Sequence, residues 1–284
     1  MKIAIIGSNG QLGTDLVKIF ETNHEVVPLT HKDIEVADYA SCMVLKKHQP
    51  DVIVNTAAFH KTDQCEEDSL KTFSVNTLGA RNIATISKEI NAISVYISTD
   101  YIFNGKKNKP YAEKDIPKPI NTYGISKLAG ECFTSQNPKH YILRIASVFG
   151  QAGASGKGGN FVETMITKAK NNDPIAVVDD MWMSPTYTKD AGEILKGMLE
   201  LKIPFGVYHA TNEGYCSWYQ FAQEIFRLTG LTPDIKPIKT DPNYGKAKRP
   251  VFSGLTSTKL CKHKLEPRNW KKALNAYLVE KGHI

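Results

Sequence analysis

Short apolar runs alternate with longer amphipathic stretches through the first half of this chain. Lys2 to Ile6 is β-branched and apolar, and Asp15 to Phe20 follows with helical spacing. Glu25 to Leu29 reads as a second strand and Tyr39 to Gln49 as a helix. Asp51 to Ala58 is a buried-type strand that runs into small residues, and Ser69 to Asn91 is one long helical pattern. Ala92 to Ser98 is a strand, Ile120 to Thr134 a helix, and Tyr141 to Ala146 a further strand. Continuous apolar strands separated by helices predict an α/β fold, a doubly wound parallel sheet with helices on both faces. Ligands in such sheets lie beyond the carboxyl ends of the strands. Gly10, Ala58, Thr99 and Ser147 all fall just past strand ends, so one crevice should collect them.

The later half is less regular. Gln151 to Gly159 is a Gly/Ala/Ser loop, Asn160 to Asn171 a helix and Ile175 to Asp179 a short strand. Asp190 to Leu201 is a helix, Gly206 to Thr211 a strand, Ser217 to Thr229 an amphipathic helix, and a last helix covers Trp270 to Val279. The expected organisation is a sheet domain over 1–150, to which the chain later returns, and a smaller α/β lobe over 151–284 that takes the substrate.

The first strand ends in Gly7-Ser8-Asn9-Gly10-Gln11-Leu12-Gly13. Glycines at this strand–turn–helix junction let the backbone bend and approach a pyrophosphate, while the helix N-terminus offers free N–H groups. The expected ligand is a nicotinamide dinucleotide on a Rossmann-type domain. The second strand closes on Thr30-His31-Lys32, where NAD-preferring sites often carry an acid. A hydroxyl and a cation favour a 2′-phosphate, so NADPH is the expected cofactor, with NADH the alternative.

Tyr123 and Lys127 stand four residues apart, about one helical turn, and share a face. A lysine ammonium beside a phenol favours the phenolate, which makes the tyrosine a candidate proton donor near neutral pH.

Composition adds bounds. The 284 residues are 41% hydrophobic and 23% charged, ordinary for a soluble globular protein. No run of 18 apolar residues suggests a membrane span, and a strand starting at residue 2 leaves no room for a signal peptide. Five scattered cysteines fit a reducing cytoplasm. Eight histidines show no ligand spacing, so no metal is expected. The net charge of +7 is spread over lysine-rich segments without a nucleic-acid motif, so no nucleic acid is expected either. Trp218 and Phe221 fit an amphipathic helix that packs its aromatic face inward.

These motifs together resemble the extended short-chain dehydrogenases/reductases, and within them the dTDP-4-dehydrorhamnose reductase family. The similarity rests on Gly7-x-x-Gly10-Gln11-Leu12-Gly13, Pro50 to Ala58, and Ser98-Thr99-Asp100-Tyr101 to Gly105. It continues in Tyr123-Gly124-x-Ser126-Lys127 to Glu131, Gly159-Asn160-Phe161 to Met165, and Arg249-Pro250. The resemblance implies NADPH-dependent reduction of the 4-keto group of a nucleotide-linked sugar. Thr99 would bond the keto oxygen, Tyr123 would protonate it, and Lys127 would assist Tyr123 and bind the nicotinamide ribose. Gly7, Gly10, Gln11 and Leu12 would cradle the pyrophosphate, with Thr30, His31, Lys32, Glu35 and Val36 towards the adenosine and Ala57, Ala58 and His60 along the cofactor. Asp100, Ser147, Trp182 and Arg249 would face the substrate.

Three segments depart from the family pattern. Ser147 replaces a tryptophan, Met181 and Met183 replace Gln and Gly, and Phe252 replaces Asn. Trp182 could restore the lost ring. A different 4-keto-6-deoxy sugar nucleotide is the alternative these changes raise. Lys189 and Asp15 stand where some family members place glutamates around a magnesium ion at a dimer contact, which again predicts no metal. Two other classes stay in view: an NADP-binding regulatory subunit without catalysis, and an epimerase or dehydratase with a retained cofactor. The oligomeric state is left open between monomer and homodimer.

Overall fold

The structure is a computed structural model that describes residues 1–153, 159–241 and 245–284. Part of the expected 151–159 loop therefore lies outside the described residues. Six parallel strands form the central sheet: β1 (Lys2–Ile6), β2 (Glu25–Leu29), β3 (Val52–Asn55), β4 (Ile93–Thr99), β5 (His140–Ile145) and β6 (Gly206–His209). Their order is β2-β1-β3-β4-β5-β6, so the chain reverses direction across the sheet between β1 and β3. Such a switch point opens a crevice at the strands' carboxyl ends.

Helix α1 (Gln11–Phe20) covers one face with Leu12, Leu16 and Phe20, against Ile3, Ile5, Val52 and Val54. Helix α2 (Gly79–Glu89) covers the other face with Ile83 and Ile86 beside Ile6 and Ile53. Helix α3 (Thr122–Thr134) carries Tyr123 and Lys127. The later half returns to this domain twice: β6 pairs with β5, and α5 (Thr188–Glu200, after α4, Phe161–Lys170) packs on α1. That approach is close enough that a Cβ on Gly192 would lie 2.5 Å from Ile19. A second core joins α4, α6 (Trp218–Thr229) and α7 (Trp270–Lys281) around Phe149, Tyr187 and Tyr277.

Most expected elements form within two residues of their sequence bounds. The first helix starts four residues earlier than expected, at Gln11, and the third strand ends at Asn55, three residues short of Ala58. Two expected helices are broken. The Tyr39–Gln49 helix is split at Met43, and Ser69–Asn91 is three consecutive pieces: Ser69–Phe73, a π-helical segment Ser74–Leu78, and α2. Apolar periodicity runs through both, but the wide π turn inserts where Asn76 leaves the helical pattern to bond the chain at Phe59 and α3.

Candidate active site

A cavity of about 930 Å³ runs along the carboxyl edge of the sheet, within the range of ligand pockets. Its first third is the glycine turn. Gly7 has φ +77°, and a Cβ there would meet Thr56 Oγ1 at 2.5 Å; a Cβ on Gly13 would meet the Gly7 carbonyl at 2.1 Å. Only glycine permits this fold-back, which aims the start of α1 into the cavity with no side chain capping it. The Gln11 side-chain amide is buried there with both its nitrogen and its oxygen unpartnered. A buried amide without partners is costly, and a phosphate-bearing ligand above the helix end would satisfy it. The residues present therefore fit a dinucleotide.

Thr30, His31, Glu35 and Val36 line the next part, followed by Ala57, Ala58 and His60. Two of the expected 2′-phosphate partners are already engaged. Thr30 Oγ1 donates to Asp33 Oδ2 at 2.7 Å, and His31 Nδ1 lies 3.4 Å from Glu35 Oε2. Lys32 is exposed and outside the lining. Asp33, four positions past the end of β2, carries no signal in the sequence, because the turn that brings it to Thr30 is not visible in the string.

Thr99, Asp100, Tyr123 and Lys127 meet at the centre of the cavity. Asn121 caps α3 by accepting from Gly124 N at 2.7 Å. Gly124 lets the first turn of α3 sit against the Tyr101 carbonyl, where a Cβ would be 2.2 Å away. This close approach brings Tyr123 to the end of β4, where it lines the cavity with Thr99 and its ring centroid lies 6.0 Å from that of Tyr101. Thr99 Oγ1 donates to Asp100 Oδ1 at 3.1 Å and accepts from Tyr101 N at 3.2 Å. Burial drives the Tyr123 phenol above its ordinary pKa; the nearby Thr99 hydroxyl opposes this and Asp100 adds to it. Burial also raises Asp100 to about 6, against the opposing pull of nearby hydroxyls, Thr99 among them.

Lys127 requires a correction to the simple phenol–ammonium pair. It is 2% exposed, and its Nζ lies 4.0 Å from the centre of the Tyr96 ring. Among the described residues no hydrogen bond joins it to Tyr123. Burial lowers its own pKa to about 7, with Glu131 acting in the opposite direction. Desolvation dominates both members of the pair here.

The far wall holds Ser147, Phe149, Asn160, Phe161, Trp218 and Phe221, with Arg249 at the rim. Ser147 adopts φ 43°, a strained value for a residue with a side chain. Trp182 is not on this wall. Its ring packs against Tyr215 and Phe252 at 6.0 and 6.5 Å, so it does not restore the missing tryptophan. Met181 and Met183 are buried and also outside the lining. The aromatic surface comes instead from Trp218 and Phe161, whose centroids are 4.7 Å apart. Both stand at helix starts, a position that amphipathic patterning alone assigns to the core. Arg249 lines the cavity while its Nη2 lies 2.6 Å from Asp63 Oδ2, and Asp63 Oδ1 in turn accepts from Lys246 N and Ala247 N.

Residues 1–282 match the sequence model of the RmlD substrate binding domain. The chain belongs to this family. The spore coat polysaccharide biosynthesis protein SpsK of Bacillus subtilis is 39% identical over 284 residues, covering 99% of this chain and 98% of the relative. A dTDP-4-dehydrorhamnose reductase structure from Clostridium acetobutylicum superposes with a TM-score of 0.93 at 37% identity, covering 99% of this chain and 100% of that one. The dTDP-4-dehydrorhamnose reductase of Bacillus anthracis in complex with NADP gives a TM-score of 0.92 at 33% identity, covering 98% and 99%. Lys189 Nζ lies 2.8 Å from Glu280, and Asp15 is buried against Thr188. No group of three or more His, Cys, Asp or Glu able to hold a metal occurs among the described residues. No described helix is long and apolar enough to cross a membrane.

Proposed function

We propose that this chain is a dTDP-4-dehydrorhamnose reductase, which converts dTDP-4-dehydro-L-rhamnose into dTDP-L-rhamnose at the expense of NADPH. The observation that carries the reading is that Thr99, Tyr123 and Lys127 line one cavity at the switch-point end of a glycine-turn sheet. Full-length relatives named for the same reaction, one of them with NADP, support it. A reduced nicotinamide supplies the hydride. Thr99 and Tyr123 hold the keto oxygen between two hydroxyls, and Tyr123 gives up its proton as charge develops there. The elevated phenol pKa suits a group that must enter the reaction protonated. Lys127 stabilises the tyrosinate left behind. Gln11 and the free amides at the start of α1 bind the pyrophosphate, and Trp218, Phe161 and Arg249 bind the nucleotide end of the sugar substrate. The need for NADPH and a sugar nucleotide supports a cytoplasmic location.

Reduction of a different 4-keto-6-deoxy sugar is the second reading, favoured by Ser147 where a ring would press on the sugar. Rates on a panel of 4-keto-6-deoxy sugar nucleotides decide between the two. The first reading expects the highest kcat/KM with dTDP-4-dehydro-L-rhamnose. A tenfold or greater preference for another sugar would reject it in favour of the second.

A further inference from the structure

Ser98, Arg144 and His209 stand side by side beneath the cavity on β4, β5 and β6, in register. Glu131 of α3 closes this row from above. Arg144 Nε and Nη2 donate to its two oxygens at 2.9 and 2.8 Å, and Ser98 Oγ donates to Oε1 at 2.5 Å. Glu131, Arg144 and Ser98 are 5%, 4% and 2% exposed. Glu131 lies one turn beyond Lys127 on the same helix face, so the carboxylate and the ammonium share one desolvated layer.

We propose that Glu131 is a positioning residue: clamped by Arg144 and Ser98, it supplies the fixed negative charge that keeps Lys127 an ammonium under the site. Burial alone would discharge that lysine, and Glu131 is the group that works against it. The neighbours divide by element. β4 gives the Tyr96 ring, and the turn after it gives Asp100 and Tyr101. Tyr123 and Glu131 come from α3 itself, and Arg144 from β5. The helix Thr62–Glu67 brings Cys65 and Glu66, and Glu66 is committed to Thr122. Lys71, and Arg81, Lys88 and Glu89 of α2, are exposed, and the π segment carries no titratable side chain. The Arg144 clamp has a second effect. It fixes the position of the carboxylate through two Arg144 hydrogen bonds and one from Ser98. Because Ser98 immediately precedes Thr99, the same clamp ties the tyrosine helix to the strand that presents the other hydroxyl.

The role of the ammonium rests on the reductase reading, but the test of Glu131 does not. In protein labelled with 13C at lysine Cε, the Lys127 signal is identified by its loss in Lys127→Met and followed with pH, without substrate or cofactor. Glu131→Gln should lower the Lys127 midpoint by about one pH unit or more. The alkaline fall of NADPH oxidation should move the same way. Should the single variant fail to fold, Glu131→Asp keeps a carboxylate for Arg144 but draws it back by one methylene, and should lower the midpoint by a smaller amount. An unchanged Lys127 midpoint in whichever variant folds would overturn the proposal and leave Glu131 a purely structural partner of Arg144. A normal titration shift in a protein that never consumes NADPH would instead count against the reductase reading alone.

Discussion

At the scale of residues, the site is assembled from groups that burial makes costly. Asp100 is 3% exposed and its carboxyl is raised to about 6. An unfolded aspartate titrates near 3.9. Between those values the folded protein binds more protons than the unfolded chain, so stability falls as pH rises through the interval. The cost is absent below the unfolded value and complete above about 6. Asp100→Asn should therefore stabilise the protein at neutral pH by roughly 2–3 kcal/mol at most, with the gain vanishing in acid. Thermal melts of both proteins across this range check it. A variant less stable than the parent at every pH would show that the hydrogen bond from Thr99 outweighs desolvation. Activity should fall in the same variant, which is the pattern of a residue kept for function against stability.

Among the elements, the unit from β1 through the glycine turn to α1 matters most for cofactor binding. It was legible in the sequence because everything that specifies it is local: a β-branched run, glycines at fixed spacing, then helical periodicity. Gly13→Ala would put a methyl 2.1 Å from the Gly7 carbonyl, an atom that cannot move without opening the turn. The expected outcome is a destabilisation of roughly 1–3 kcal/mol and a loss of NADPH affinity of at least tenfold, read by nucleotide fluorescence titration. Unchanged affinity would mean that the turn does not carry the pyrophosphate. The π segment Ser74–Leu78 was not legible, because its apolar spacing still reads as helix. What breaks the pattern is Asn76, which bonds Phe59 on one side and Ser126 of α3 on the other, and whose carbonyl accepts from the Tyr96 hydroxyl. Those partners lie 17 to 50 residues away, and no window of sequence contains them.

For the whole molecule, the cavity exists because the later half of the chain returns over the strand ends. Thr99, Tyr123 and Lys127 could be grouped from the sequence, since strand ends and a helical turn bring them together. The aromatic wall could not. In the sequence Trp182 reads as the substrate-facing ring and Trp218 as a core residue, the reverse of their placement. Trp182 stands on a short strand bound to the Val251–Ser253 segment and turns to Phe252, whereas Trp218 opens α6 beside Phe161 and faces the cavity. The buried row from Glu131 to His209 was hidden for the same reason, being built from four separate elements.

The central claim is that Tyr123 delivers a proton to a sugar ketone while a nicotinamide reduces it. Its most direct test is turnover of Tyr123→Phe with NADPH and dTDP-4-dehydro-L-rhamnose, followed by both loss of reduced-nicotinamide absorbance and chromatography of the sugar product. The account predicts that the parent enzyme consumes one NADPH for each dTDP-L-rhamnose formed. The variant should bind NADPH as the parent does and turn over at least about a hundredfold more slowly, the usual scale of a lost general acid. A variant that keeps more than a tenth of the rate, or product formed by the parent without net NADPH consumption, would contradict it.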